Sequence, residues 1–272
     1  MLKLHKTFMA FTVVACLAGP AAADQLTVKG STTILPVAQA AAEIFMEKNP
    51  GAAISVQGGG SGIGIAALLE GTTDIAASSR KIKDEELAQA KAKGLNVQGA
   101  TIALDGIAVI VNPRNKVDAL TKAQILDIYT GKFSNWSQVG GPDQKIVVIS
   151  RDSASGTYDA FDALALNKQK VRGDALMSAS NGAVAQTVAQ TPGAIGYVGL
   201  GYVNKKVKAV KVDGVACTKA SVVAGTYPLS RPLILYTNGA PKGLALDFIR
   251  FIQGPSGQQL VDEEGFVRVK RR

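Results

Sequence analysis

The 272-residue chain carries 30 lysines and arginines against 21 aspartates and glutamates, a formal charge of +9, with 29 glycines, two cysteines and one histidine. Such a balance attracts anions through its long-range field. No aromatic residues interleave with Lys and Arg as stacking platforms for nucleic acid require, so no nucleic-acid partner is expected.

Residues 1–23 read as a secretory signal peptide: Lys3 and Lys6 form a basic start, Phe8 to Leu17 an apolar stretch too short for a bilayer, and Ala21-Ala22-Ala23 a small-residue cleavage site. Val13-Val14-Ala15-Cys16 offers an alternative, a lipoprotein box that would leave Cys16 lipid-anchored. With cleavage after Ala23, removing 23 residues from 272 leaves 249, and losing Lys3 and Lys6 lowers the charge from +9 to +7. The cut also removes Cys16 and His5, the single histidine. What remains has one cysteine, Cys217, and no histidine, which excludes an internal disulfide, a Ser-His-Asp triad, a Cys-His dyad and a His-ligated metal. Cys217 in GVACTKAS reads as a small buried residue.

In chain order, LTVKG (26–30) predicts a strand, and ILPVAQAAAEIFMEKN a helix with Ile34, Val37, Ala41, Ile44 and Phe45 on one face, stopped at Asn49-Pro50-Gly51. AAISVQ (52–57) leads into a glycine turn at 58–62 and an apolar helix; DIAASS (74–79) is the next strand, followed by the polar helix KDEELAQAKAKG. The near-continuous apolar run 97–113 predicts a buried central strand or pair of strands. TKAQILDIYTG (121–131) is a helix with a Thr cap and a Gly stop. After KIVVIS come a helix over 156–167, the apolar segment 193–203, the strand-like 227–237 and a helix over 243–253. This alternation predicts an α/β fold with a largely parallel sheet, in two lobes, with chain crossings near 104 and near 227.

Small hydroxyl residues and glycine recur at three strand-to-helix turns: Gly30-Ser31-Thr32-Thr33, Gly58-Gly59-Gly60-Ser61-Gly62 and Ser153-Ala154-Ser155-Gly156-Thr157. Helix N-termini carry unpaired N–H groups and the positive end of the macrodipole, an arrangement suited to anions. Each turn alone could be only an N-cap; three together favour a ligand. Arg151 beside the third turn could pair with Asp152, but its planar fork suits a tetrahedral oxyanion. Ser78-Ser79-Arg80 adds hydroxyls and a charge at a fourth strand end. G-x-S-x-G and the phosphate-binding loop of nucleotide hydrolases are absent, and Gly62-x-Gly64-x-x-Ala67 is only a loose dinucleotide fingerprint.

Those segments, VKGSTTILPVAQAAAEIF through TTDIAASSRKIKDEE, then SRDSASGTYDAF, GAIGYVGLGYV, YPLSRPLILYT and GPSGQQLVDEEGFV, resemble in order the phosphate-binding proteins of bacterial phosphate ABC importers. The resemblance implies a type II periplasmic binding protein fold, each lobe a mixed sheet flanked by helices: lobe I over 24–104 and 227–272, lobe II over 105–226. It implies a non-enzymatic, monomeric periplasmic receptor without metal or cofactor, which closes on inorganic phosphate and delivers it to an ABC importer permease in the inner membrane. The family's contacts fall on Thr32, Thr33, Ser61, Ser79, Arg151, Ser155, Gly156 and Thr157; Ser31 and Gly62 complete the candidate set from the turns themselves. One departure is Ser79, where well-known members carry an aspartate that accepts a hydrogen bond from protonated phosphate and repels fully ionised sulfate. Another tetrahedral oxyanion (sulfate, molybdate or tungstate) is therefore the alternative ligand, followed by a secreted phosphatase using Ser61 or Ser155, and by an adhesion protein that has kept the fold.

Overall fold

The computed structural model describes residues 24–269; the signal sequence, Cys16 and the basic end at 270–272 lie outside them. The chain begins with β1 (Asp24–Gly30), α1 (Leu35–Lys48), β2 (Ala52–Gly59), α2 (Ser61–Leu69), β3 (Ile75–Ser78) and α3 (Asp84–Ala92). Along β1, Leu26 and Val28 are buried while the residues between them are not, the period-2 pattern of a strand covered chiefly on one face. The long β4 (Val97–Val111) leads to β5 (Ala119–Leu120), α4 (Lys122–Thr130), β6 (Val147–Arg151), α5 (Gly156–Ala165), β7 (Leu176–Ser178), α6 (Asn181–Gln190) and β8 (Ala194–Gly199). The short β9 (Lys208–Ala209), β10 (Lys211–Val212) and α7 (Lys219–Val223) precede β11 (Ser230–Asn238), α8 (Gly243–Gln253) and α9 (Pro255–Glu263). The stop signals act as expected on α4: Thr121 accepts the Gln124 N–H at 3.1 Å, and Gly131 ends the helix at φ 90°.

The main sheet runs β2-β1-β3-β11-β4-β8-β6-β7, with β9 beside β4. It is not largely parallel. β1 pairs parallel with β2 and β3, and β6 with β7 and β8, but β11 is antiparallel to both β3 and β4, and β4 is antiparallel to β8 and β9. The physical reason is the double passage between lobes: the chain leaves along β4 and returns along β11 in the opposite direction, so the two passages are antiparallel neighbours. β4 pairs with β11 up to Gly106 and with β8 from Ile107. Its first residues, Val97–Thr101, are half-buried or exposed, against the expectation of a buried run, because β4 has no second neighbour there.

Two principal apolar cores lie on either side of this change of partner. One collects Val28, Ile34, Phe45, Ile102, Leu235, Phe248 and Phe266; the other Val109, Ile128, Tyr129, Trp136, Phe161 and Tyr197. Phe161 stacks on Tyr197 at 3.9 Å between ring centres, and the Trp136 indole donates to the Gly193 carbonyl at 2.8 Å. Helices α6 and α9 were not legible in the sequence, since they offer few large apolar residues, Val184 and Val188 in the first and Leu260 and Val261 in the second, among small and polar ones. No helix among the described residues is long and apolar enough to cross a membrane.

Candidate anion-binding site

The candidate residues stand at the carboxyl ends of strands, where ligands gather in open α/β sheets. Gly30 ends β1 and leads into Ser31, Thr32 and Thr33; Gly59 ends β2 before Ser61 and Gly62; Ser79 follows β3; Arg151 ends β6 before Ser155, Gly156 and Thr157. The structure brings the turns of the two lobes into direct contact. Thr33 Oγ1 lies 3.1 Å from Thr157 Oγ1. The Gly62 N–H donates to the Ala154 carbonyl at 2.9 Å. A Cβ on Gly156 would stand 2.2 Å from Ser61 Oγ and 3.0 Å from Ser79 Oγ. Gly60, at φ +114°, has no room for one either, with the Ala154 carbonyl 2.5 Å away. All the hydroxyl residues named are buried, and so is Arg151.

Some of these groups already have partners within the protein. Ser31 Oγ accepts the N–H groups of Thr33 and Ile34, and Ser155 Oγ caps α5 by accepting the Tyr158 N–H at 3.2 Å. Ser31 therefore shapes its turn, and the N–H of Gly62 is occupied by the opposite lobe. Ser61 Oγ accepts the Ser79 N–H at 3.0 Å and sits 3.4 Å from Ser79 Oγ. Asp74 accepts the Thr27 N–H at 2.7 Å and leaves Ser79 unreplaced as a carboxylate.

Arg151 is the exception to this pairing. It is 2 % exposed and not paired with Asp152, whose Oδ1 instead accepts the Ala154 N–H. Its Nε and Nη2 donate to the Ser178 and Ala179 carbonyls at 2.8 and 3.0 Å, while Nη1 has no partner among the described residues. Tyr197, whose hydroxyl accepts the Arg151 N–H at 3.2 Å, fixes the end of β6. Burial pushes the guanidinium below its ordinary value, against the raising effect of Asp152 and Tyr197, and nearby Arg231 lowers it further. A guanidinium nevertheless keeps its proton. A buried cation without a carboxylate costs several kcal/mol unless an anion joins it.

Three residues not proposed from the sequence join the cluster. Asn181, at the start of α6, donates through Nδ2 to Thr32 Oγ1 and Thr33 Oγ1, both at 3.0 Å. Arg231 of β11 donates to Thr33 Oγ1 at 3.2 Å and pairs with buried Asp105 of β4 at 2.8 Å. Burial raises the Asp105 carboxyl, opposed by Arg231 and by the Leu200 N–H, which donates to it at 2.9 Å. A charged residue within the apolar segments ALDGIAV and SRPLILY was the available signal. Arg80, by contrast, is fully engaged: two contacts of 2.7 Å to Glu86 and one of 2.6 Å across the cleft to Asp159, which Lys83 also reaches at 3.0 Å. Cys217 is half-buried, and burial pushes its thiol up to about 12, as for an unreactive packing residue.

Residues 18–256 match the family model of a PBP superfamily domain. The chain is 36 % identical over 250 residues to the phosphate-binding protein PstS of Bacillus subtilis, covering 91 % of this chain and 82 % of that one. With PstS of Borreliella burgdorferi the identity is 32 % over 257 residues, 90 % of each chain. A crystal structure from Clostridium perfringens with bound phosphate, assigned there as a phosphate ABC transporter substrate-binding protein, superposes with a TM-score of 0.85 at 38 % identity over 91 % of this chain and all of that one. An ABC-type phosphate transport receptor from Vibrio cholerae gives 0.75 at 33 % identity, over 90 % of this chain and all of that one. These relatives are binding and transport proteins by name. With its mixed sheet and paired lobes, the chain belongs to the PBP superfamily and, within it, to the PstS family of phosphate-binding proteins.

Proposed function

We propose that the chain is an exported receptor that captures inorganic phosphate between its two lobes and hands it to an ABC importer in the inner membrane. The observation that carries this reading is Arg151, a buried cation whose Nη1 lacks a protein partner, at the end of β6, the strand whose following turn brings Thr157 against Thr33 and Gly156 against Ser61 and Ser79. Charge-assisted hydrogen bonds from such groups are roughly twice as strong as neutral ones. The names of the relatives and the phosphate in the Clostridium structure support the choice of anion. Lobe I over 24–104 and 227–272 and lobe II over 105–226 form the two jaws, the protein works as a monomer without enzymatic turnover, and residues 1–23 direct export to the periplasm.

Ser79 supports a second reading, in which another tetrahedral oxyanion shares the site, because no carboxylate stands there to repel it. Calorimetric titration of ligand-stripped protein with phosphate and sulfate separates the two. Tight binding of phosphate with weak binding of sulfate is expected; the reverse order overturns the first reading.

A further inference from the structure

We infer that Arg231 is a second cation of the anion site, and that Asp105 sets how much of its charge the anion feels. The inference rests on the phosphate reading above. Asp105 and Arg231 are direct partners across β4 and β11, next to the point where β4 exchanges β11 for β8 at Gly106 and Ile107. Both strands pass between the lobes there, which puts the pair at the base of the cleft. A guanidinium is planar, with its N–H groups in fixed directions. Nε and Nη2 each donate one proton to Asp105 Oδ2, at 2.9 and 2.8 Å. Nη2 donates its other proton to Thr33 Oγ1 at 3.2 Å. One Nη1 proton runs parallel to that bond in the plane of the group. It therefore faces the side on which Thr33 stands, 3.1 Å from Thr157 of the opposite lobe. Arg231 is only 5 % exposed, and its buried Nη1 has no partner among the described residues.

Arg151 is in the same condition, buried and with Nη1 unpartnered among the described residues. The two arginines also sense one another, for Arg231 is among the charges that lower the Arg151 guanidinium. Between them they hold one bonded carboxylate, Asp105, because Asp152 is turned to the Ala154 N–H. Like charges repel strongly where water is excluded. An anion that takes the spare donor of each arginine relieves that repulsion and gains charge-assisted bonds from both.

Asp105 acts in two opposed ways. It orients the Arg231 fork through its two hydrogen bonds, and its negative charge offsets the positive one that the anion meets. The other neighbours of this turn bring no charge: Asn181 donates to Thr32 and Thr33, and the Tyr202 hydroxyl donates to the Thr32 carbonyl. An ion pair that only braced β4 against β11 would fail alike whichever partner were removed. A pair that serves an anion responds to the two removals with opposite signs.

The test is calorimetry with inorganic phosphate on ligand-stripped protein, comparing wild type, R231Q, R231K, D105N and the D105N/R231Q pair, which leaves no unpaired buried charge. R231Q should lose about thirtyfold in affinity, since it removes a donor and leaves the Asp105 carboxylate facing the anion. R231K, which keeps the charge without the planar fork, should lose about threefold. D105N should tighten binding about threefold, and the double variant should fall about tenfold below wild type. Losses of the same sign and similar size in R231Q and D105N would make the pair a brace of the strands and overturn the inference while leaving the phosphate reading intact. Should D105N not fold, because it strands a buried cation, a crystal structure of wild type with phosphate decides. Arg231 Nη1 bonded to a phosphate oxygen, directly or through one water, is expected there; Nη1 without that link overturns the inference. Failure of wild type to bind phosphate would overturn both readings.

Discussion

Arg80 and Arg151 occupy similar places in the chain, each beside serines at the end of a parallel strand that faces the cleft. The fold gives them opposite circumstances. Arg80 meets two carboxylates, Glu86 in its own lobe and Asp159 in the other, and its charge is neutralised within the protein. Arg151 meets two carbonyl oxygens and leaves Nη1 without a partner. The first arginine joins the two sides of the cleft, and the second keeps a donor without a protein partner, which is why we propose it as the anion's contact. Residue type and position relative to a strand did not separate these roles; the number of carboxylates within reach did.

Removing the unpaired cation should have the largest effect. Arg151→Ala should cost about 2 kcal/mol or more of phosphate binding, roughly thirtyfold in Kd by calorimetry, because charge-assisted bonds are lost. Retention of near-native affinity would mean that the two arginines do not differ in the way described. Gly156→Ala strikes the contact between lobes: its Cβ would overlap Ser61 Oγ at 2.2 Å. It should weaken phosphate binding by about 1–2 kcal/mol, the usual cost of overpacking. Ligand-free thermal stability should change little if the clash exists only when the lobes meet.

The Arg80 side of the comparison predicts smaller changes. Asp159→Asn removes the carboxylate that Arg80 and Lys83 share across the cleft. About 1 kcal/mol of binding should be lost at low ionic strength and less in high salt, since Lys83 is partly exposed and screening weakens such pairs. A salt-independent loss would point to packing instead. The smallest effect concerns acid stability. At Glu86 burial opposes ionisation, but hydrogen bonds from Arg80 and the Lys83 N–H, with their charges, hold the carboxyl below its ordinary value of 4.5. A lowered carboxyl contributes stability that is present above the ordinary value and is lost as pH falls through the folded one. Glu86→Gln should therefore remove a modest part of the stability measured at neutral pH and narrow the gap to wild type on acidification in denaturant melts.

Much of this was legible because the chain marks its strand ends clearly. Gly30, Gly60 and Gly156 stand where turns bring backbone against backbone or hydroxyl, and their hydroxyl neighbours announced the cleft. Arg151 was legible as a ligand candidate from its donor-rich surroundings. Ser31 and Gly62 read the same way locally, yet the first shapes its own turn and the second bonds to the facing lobe. Asn181 and Arg231 escaped notice for the converse reason: their partner Thr33 is 148 and 198 residues away in the chain. The antiparallel pairings of β11 were hidden too, because periodicity reports which face of a strand is buried and carries no direction.

The sequence by itself determined the elements, the turns, and the stock of hydroxyls and cations, since capping, glycine conformation and side-chain period are local properties. It also removed histidine chemistry from residues 24–272. Only the tertiary structure decided which donors remain open to an anion. Pairing depends on distances across the cleft, and those distances exist only once β4 and β11 have carried the chain out and back.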